Sequence, residues 1–364
     1  MTAIAKVIEH LEKLASPNLQ EDYDNSGLIL GHAGEDIKGV MVSLDCTEEV
    51  MDEALKNDCN LLITHHPLLF KAIKRLTGKT YVERCLIKAI KNDLAIYAIH
   101  TNLDSVPHGV SGTMAEKLGL LNTMILRPGR SPLKKLVTFC PVEQADEVRK
   151  AIFKAGAGHI GNYDHCSFNA EGRGTFRAGE ESNPYVGKKG EDHSEAEVRI
   201  ESIFRVGDQA GLIRALLEAH PYEEVAYDIY PLDNVDTGTG FGLMGDLPEE
   251  LGSRAFLSLL KSRFHTGVIR HSEYGGKIRK VAVCGGSGAF LIDDALAGNA
   301  DAYVTGDIKY HDFFESSGNM MLADIGHFES EQFTVHLLVE ELRKNFTTFA
   351  THFSSINTNP IKTF

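Results

Sequence analysis

The chain has 364 residues, of which 43% are hydrophobic and 24% are charged, and its formal net charge at pH 7 is −14. This length allows a large buried core and predicts two or three domains. The acidic balance disfavours a general grip on nucleic-acid phosphates, because such binding needs clustered Lys and Arg side chains.

The six cysteines form no CxxC pair, which is typical of reduced thiols in an intracellular protein. The first residues look like an amphipathic helix and lack the basic and apolar regions of a signal peptide. No run approaches the roughly 18 apolar residues of a membrane span. These features predict a cytoplasmic protein without a membrane anchor.

The first part of the chain has the pattern strand, helix, strand. Residues 40–44 form a β-rich run, residues 48–57 have helical spacing, and residues 61–64 form a short apolar strand. His65 and His66 follow this strand directly. Open α/β sheets place their chemistry at the carboxyl ends of such strands. The next strand is followed by His100 and, four residues later, Asp104.

The middle of the chain has a different pattern. Its order of strands and helices is β-α-β-β-α-β, which is the ferredoxin-like plan. The elements are strand 135–139, helix 143–155, a strand near 164–170 followed by a Gly-rich polar loop to His193, strand 195–204, helix 209–220 and strand 224–230. Turn-rich segments at 128–132 and 236–240 flank the region. Its histidines have no spacing typical of a site: His159, His165, His193 and His220.

The last part repeats the first with an offset of 241 residues. Val40 corresponds to Val281, and Thr64 corresponds to Thr305. Where the first half has its paired histidines, the second has Gly306 and Asp307, followed by Lys309, His311 and Asp312. The next strand leads to His327 and Glu331. We interpret this as a diverged internal duplication whose polar strand ends face one cleft.

The domain prediction follows from these patterns. Residues 1–129 and 237–364 are the two similar halves of one α/β core domain. Residues 130–236 are a ferredoxin-like domain inserted between them. Such an insertion costs little when its two ends lie close together.

The polar residues at the strand ends predict a metal site. His327 and Glu331 lie one turn apart on a helix, so both can reach one ion. His65 and His66 leave a strand end, where neighbouring side chains can each bind one of two ions. Asp104 and Glu331 can supply terminal or bridging oxygens. Imidazole with carboxylate suits divalent transition metals.

For other residues the sequence allows more than one interpretation. His100 is a metal ligand, a hydrogen-bond partner of a ligand, or a proton shuttle. His311 and Asp312 are either functional or structural. The loop Cys284-Gly285-Gly286-Ser287-Gly288 can cradle an anion with its amides or simply form a tight turn.

Five motifs resemble those of the Nif-three-like dinuclear metal-centre family, whose members are often labelled GTP cyclohydrolase 1 type 2 homologues. The motifs are Asp24-Asn25-Ser26-Gly27-Leu28, Thr64-His65-His66-Pro67, His100 to Asp104, Gly306 to Asp312, and Gly326 to Glu331. Tyr23 stands where many members have Trp. The region between the core halves resembles the CutA/PII-like middle domain of longer bacterial members.

The resemblance implies a specific site and assembly. The implied metal ligands are His65, His66, Asp104, His327 and Glu331, with Glu331 as a bridge. The implied fold is a three-layer α/β core, and the implied assembly is a homohexameric ring with the sites facing an internal cavity.

We therefore predict a hydrolase with two divalent ions (zinc, iron or manganese) that acts through metal-activated water on a nucleotide-like or phosphorylated small molecule. His100 and His311 are the predicted acid–base residues, and Lys309 and Asp307 are the predicted substrate contacts. The alternative is a non-catalytic, metal-binding regulatory protein whose insert senses a ligand. The two differ in that an enzyme site keeps an open coordination position.

Overall fold

The protein is described here by a computed structural model that covers residues 2–129 and 133–363. It is a mixed α/β structure with three sheets, which confirms the predicted fold class. The chain divides into two compact units, Met1–Gly129 with Gly238–Phe364 and Arg130–Thr237. In the described part of the chain, no helix combines the length and the apolarity needed to cross a bilayer.

The first half of the discontinuous unit builds a five-stranded sheet in the order β1-β4-β3-β2-β15. Strands β2, β3, β4 and β15 run parallel to their neighbours, and β1 is antiparallel to β4. The elements are α1 (Ile4–Leu14), β1 (Gly27–Leu30), β2 (Gly39–Ser43), α2 (Glu48–Lys56), β3 (Leu61–Thr64), α3 (Tyr81–Lys91), β4 (Ala95–Ala98), α4 (Thr101–Asp104), α5 (Val110–Leu118), β5 (Leu121–Gly129) and, from the chain's end, β15 (Ala350–Phe353).

The second half builds a six-stranded sheet in the order β11-β14-β13-β12-β10-β5. Its central strands β12, β13 and β14 are parallel, β10 is antiparallel to β12, and β11 is antiparallel to β14. The elements are β10 (Asp236–Gly252), α8 (Ser253–Phe264), β11 (Arg270–His271), β12 (Lys277–Ser287), α9 (Ile292–Ala297), β13 (Ala302–Gly306), β14 (Met321–Asp324), α10 (His327–Glu331) and α11 (Thr334–Asn345).

Helices cover both faces of each sheet. On the first sheet, α1 and α11 pack on one face and α2 and α3 on the other. On the second, α5 and α8 pack on one face and α9 on the other. Every residue of β2, β3 and β4 is buried, as expected of parallel strands between two helical layers. This is the predicted three-layer arrangement.

The two halves share one strand register. Val40 pairs with Leu61, and Leu61 pairs with Ala95. In the second sheet, Val281 pairs with Ala302, and Ala302 with Met321. The 241-residue offset relates Val40 to Val281 and Leu61 to Ala302. The prediction of two similar α/β halves is confirmed.

The inserted unit has the element order β-α-β-β-α-β that the sequence predicts. Its antiparallel sheet has the order β7-β8-β6-β9. One face packs on the two helices. The elements are β6 (Leu133–Pro141), α6 (Ala145–Lys154), β7 (Phe168–Arg177), β8 (Asp192–Arg205), α7 (Gln209–Ala219) and β9 (Tyr227–Pro231).

Two segments differ from the sequence prediction. The predicted Gly-rich loop after residue 170 is instead strand up to Arg177, because Gly172 and Gly174 pair across to Glu197 and Glu195. Residues 236–240, predicted as a hinge, begin β10. In both places the glycines suggested turns, whereas cross-strand pairing holds the backbone extended.

Helix α3, which covers the first sheet, has a reciprocal cap at its first turn. The Glu83 amide donates to Thr80 Oγ1 over 3.2 Å, and the Glu83 carboxylate accepts from the Lys79 amide over 3.1 Å. We expect Thr80→Ala to lower the local free energy of unfolding by about 1 kcal/mol. Amides of the first turn of α3 should then exchange hydrogen about fivefold faster. Thr80→Ser keeps the acceptor and serves as control, and unchanged exchange in Thr80→Ala would contradict the cap.

Candidate metal centre

Two histidines leave the end of β3 in an irregular turn. The amides of His65 and His66 donate to the carbonyls of Ser43 and Leu44, and Thr64 Oγ1 donates to the carbonyl of His66 over 2.8 Å. The turn takes the chain out of regular strand geometry, in which neighbouring side chains would point to opposite faces. The two imidazole rings therefore lie together, with centroids 5.1 Å apart.

Every imidazole of the site is held at its Nδ1 atom. A carbonyl or an ionised carboxylate only accepts hydrogen bonds, so each Nδ1 carries a proton, and Nε2 is the atom whose lone pair can bind a metal once that atom is unprotonated. The Nδ1 atoms of His65, His66, His100 and His327 lie 2.7–2.8 Å from Ile99 O, Asp45 Oδ1, Asp24 Oδ1 and Asp307 Oδ2, respectively. Contacts of this kind fix the tautomer and the orientation of histidines that bind metals.

The Nε2 atoms converge on the carboxylate of Glu331, which is 3% exposed. His66 Nε2 and His327 Nε2 lie 3.0 and 3.2 Å from Glu331 Oε2, although without hydrogen-bond geometry. His65 Nε2 lies 3.8 Å from Glu331 Oε1. The structure thus joins a strand end of the first half to the first turn of α10.

Two features of the cluster fit a bound cation. The buried atoms His65 Nε2 and Asp104 Oδ1 lie 3.7 Å apart, and neither has a hydrogen-bond partner among the described residues. The Nε2 atoms of His66 and His327 face each other at 3.3 Å, and two lone pairs at this distance repel unless a proton or cation lies between them. Unpaired buried polar atoms are costly. A divalent metal would satisfy all of them.

The ligand atoms form two groups of three that share His66. One group is His65, His66 and His100, and the other is His66, His327 and Glu331, with all atoms of a group within 4.8 Å of one another. His100 therefore lies among the ligand atoms, and its ring centroid is 5.3 Å from that of His65. The sequence allowed His100 to be a metal ligand or a hydrogen-bond partner of a ligand, and its position in the structure is compatible with both roles.

The two carboxylates of the site titrate in opposite directions. Burial and the charge of Glu331 raise the pKa of Asp104 to about 7. Burial also opposes the ionisation of Glu331, but the nearby imidazoles of His327, His65 and His66 outweigh it and hold the pKa of Glu331 well below its usual range. The imidazoles thus stabilise one negative charge at the centre, and a second one is stable only when more positive charge arrives.

The glycine loop after β12 packs against this carboxylate. Gly286 has φ +60, and a Cβ atom added there would overlap Glu331 Oε1. Its amide donates to Ser330 Oγ over 2.9 Å, and the Gly288 amide donates to Thr305 Oγ1 over 3.0 Å. These amides are used inside the fold, which favours the tight-turn interpretation over an anion cradle.

Of the remaining predicted residues, the structure brings only Asp307 into contact with the cluster, among the described contacts. Asp307 holds the ring of His327, a role that the sequence did not predict for it. Lys309 and His311 are exposed. The His311 ring packs edge-on against Tyr310, and no described contact links it to the ligand atoms. The roles of Lys309, Asp307 and His311 toward a substrate stay predictions.

Sequence reasoning missed the carboxylates that hold the rings. Asp45 lies two residues beyond β2, at the sheet edge where the histidines follow β3, so its place after a parallel strand was an available signal. Asp24 accepts from the Thr101 amide as well as from His100. Thr358, near the end of the chain, donates to Asp45 Oδ2 over 2.5 Å. Nothing in the local sequence indicates that last contact.

A family model described as Duf34/NIF3 (NGG1p interacting factor 3) matches residues 2–360. The chain belongs to this family. Its NIF3 relatives include a protein of Halalkalibacterium halodurans named GTP cyclohydrolase 1 type 2 homolog, which is 41% identical over 84% of this chain and 82% of that one. The predicted family is therefore confirmed.

Solved NIF3-type structures match the whole chain. A Bacillus cereus protein related to NIF3 has a TM-score of 0.87 and 39% identity, covering 100% of this chain and 99% of that one. A Staphylococcus aureus protein has a TM-score of 0.77 and 28% identity with the same coverage. The similarity therefore includes both the core halves and the inserted segment.

Metal affinity should rise with pH. Burial opposes charge on His66 and His327, but their carboxylate partners outweigh it and raise their pKa values to about 10 and about 9. A metal must displace these protons and the one on Asp104, so binding releases protons. We expect zinc affinity to rise about tenfold or more per pH unit from pH 6 to 8. Competition against a chromophoric chelator, corrected for its own protonation, measures this, and a flat profile would contradict the ligand set.

Substitution of Gly286 should damage the site without unfolding the protein. The Cβ atom of Gly286→Ala would displace the Glu331 carboxylate and would strain a left-handed backbone. We expect lower metal content by elemental analysis, with the circular-dichroism spectrum retained. Gly34→Ala is the control, because a Cβ atom there meets nothing within 4 Å. Equal metal content in both variants would show that the packing of Gly286 does not position Glu331.

Proposed function

We propose that this NIF3 protein is a hydrolase that uses two divalent metal ions and acts on a nucleotide-like or phosphorylated small molecule. One observation carries the proposal: four imidazoles are each fixed at Nδ1, and three of them place Nε2 3.0–3.8 Å from the buried Glu331 carboxylate. The name GTP cyclohydrolase 1 type 2 homolog, which a 41% identical relative carries, supports a nucleotide-related substrate.

The two ligand groups that share His66 support two ions rather than one. His65, His66 and His100 would hold the first, with Asp104 beside them, and His66, His327 and Glu331 would hold the second. Divalent ions held this way act as Lewis acids and lower the pKa of water. The ligand set suits zinc, iron or manganese.

The protein's own residues prepare the site in two ways. Asp24, Asp45 and Asp307 keep the protons on the Nδ1 atoms and prevent the rings from turning. The site is also open on one side, because side-chain exposure rises from 0% at His65 to 33% at His327. A catalytic site needs such an opening for its substrate, whereas a structural metal site is closed.

Acid–base and substrate roles complete the proposal. His100, with Asp24 on its Nδ1, can carry a proton as well as bind an ion. Asp307 and Lys309 lie on the exposed segment beside His327, where an ammonium group suits a substrate anion. His311 is proposed as a second acid–base residue from the same segment. A homohexameric ring is proposed for the assembly, and analytical ultracentrifugation tests it.

A specific observation favours a second candidate, a metal-binding regulatory protein. The inserted unit encloses a cavity of about 980 Å³ lined only by its own residues. A cavity of this size is typical of small-molecule sites. In this second candidate, a PII-like insert senses a ligand and the metal centre is not catalytic.

Metal content and turnover of Glu331→Gln test the hydrolase. The variant keeps the shape of the side chain but removes the central charge, so we expect loss of metal and a fall of at least about 100-fold in turnover. Wild type loaded with manganese or zinc would be assayed on GTP and a panel of nucleotides and phosphorylated metabolites. Glu340→Gln, exposed on α11, is the matched control.

The two candidates give different outcomes. Turnover that survives the loss of metal in Glu331→Gln would rule out the metal-dependent mechanism. Metal binding in wild type without turnover of any substrate in the panel would favour the regulatory candidate.

A further inference from the structure

The inserted unit carries a second site candidate on the sheet face opposite its helices. Val198 and Ile200 of β8 pack with α6 and α7, so the alternating residues Glu197 and Arg199 point to the other face. Both line the cavity of about 980 Å³. Strand register places Glu197 opposite Gly172 of β7.

Two glycines of β7 make room above Glu197. A Cβ atom added at Gly172 meets nothing within 4 Å, and one added at Gly174 would overlap Glu197 Oε2. A larger residue at either position would fill the space beside the carboxylate. The residues of β7 thus have no side chains where they border the cavity, although glycine weakens a strand.

Glu197 is a buried carboxylate without a cation. It is 8% exposed, and its Oε1 accepts a hydrogen bond of 2.9 Å from the Tyr222 hydroxyl. Burial and the charge of Glu197 raise the pKa of Tyr222, so the hydroxyl keeps its proton and donates it. No ion pair reaches Glu197 among the described residues. A buried charge is costly when it lacks a partner of opposite sign.

Two of the three arginines that line the cavity are bound to other residues. Arg199 Nη2 lies 2.9 Å from Glu201 Oε1, and the Arg173 guanidinium donates to Ser194. The cavity lining contains six glutamates and three arginines, so its formal charge is negative. This charge favours a cationic occupant over a phosphate.

Three aromatic rings line the same cavity as the buried carboxylate. The Tyr222 ring centroid lies 6.2 Å from those of Phe176 and Tyr185, and the planes are tilted by 59° and 50°. All three residues line the cavity. Ring faces attract cations, and the attraction is stronger where water is excluded. An aromatic group of this kind around a carboxylate suits an organic ammonium ion.

We propose that this cavity binds a small molecule through a protonated amine, whose N–H groups donate to Glu197 while the rings of Tyr222, Phe176 and Tyr185 enclose its charge. The site lies wholly within the inserted unit and is independent of the proposed hydrolase activity. A protonated amine is thus the proposed class of ligand for the inserted unit, for which the sequence indicated no specific ligand.

Calorimetric titration of the full-length protein tests the proposal. Spermidine and agmatine supply protonated amines, choline supplies a cation without N–H donors, and GTP supplies an anion, all at equal ionic strength. We expect binding of an amine probe, weakened about tenfold or more in Glu197→Gln because a charge-assisted hydrogen bond is lost. Glu218→Gln on α7 is the matched control, because it removes an exposed charge of the same unit that lies outside the cavity lining.

A second variant separates the carboxylate from its partner. Tyr222→Phe keeps the ring and frees Glu197 Oε1, so amine binding should be retained. Hydrogen exchange with bound amine should slow in residues 178–186 and 222–226, which also shows that each variant is folded. Equal weakening in Glu197→Gln and Glu218→Gln, loss of binding in Tyr222→Phe alone, or binding of GTP but of no amine would each overturn the proposal.

Discussion

The burial of one carboxylate among imidazoles is the constraint on which the metal centre depends. Glu331 is almost fully enclosed, and three histidines from two distant parts of the chain face it. An isolated buried carboxylate would be strongly destabilising. It is tolerated here because the imidazoles supply positive charge when no metal is bound and ligand atoms when one is.

The candidate metal ligands could be predicted from the sequence because each lies in a recognisable local pattern. His65 and His66 directly follow an apolar parallel strand, and His327 and Glu331 have helical spacing. The partners that hold the rings depend on loop geometry instead. Asp45 and Thr358 are 313 positions apart and still share a hydrogen bond, which no local pattern contains. Asp307 was assigned to a substrate from its place beside Lys309, whereas the structure shows its carboxylate on His327.

In the inserted unit, the fold could be predicted from the sequence, whereas the candidate site could not. Its order of elements could be predicted because apolar alternation and helical spacing are both clear. Its cavity could not be, because the glycines of β7 suggested a loop, and glycine is depleted in strands. The structure keeps them in a strand, where a Cβ atom at Gly174 would overlap the Glu197 carboxylate and one at Gly172 would meet nothing within 4 Å. A residue type that is unfavourable for the local structure can thus mark the place where a strand leaves room for a ligand.

The duplication also explains why the two halves of the centre differ. The 241-residue offset that relates Val40 to Val281 relates Asp45 to Gly286. In the first half, that position carries the carboxylate that holds His66. In the second half, a side chain there would overlap Glu331. The second half carries glycine at this sequence position and supplies its carboxylate from α10. The asymmetry follows from the space available at the centre.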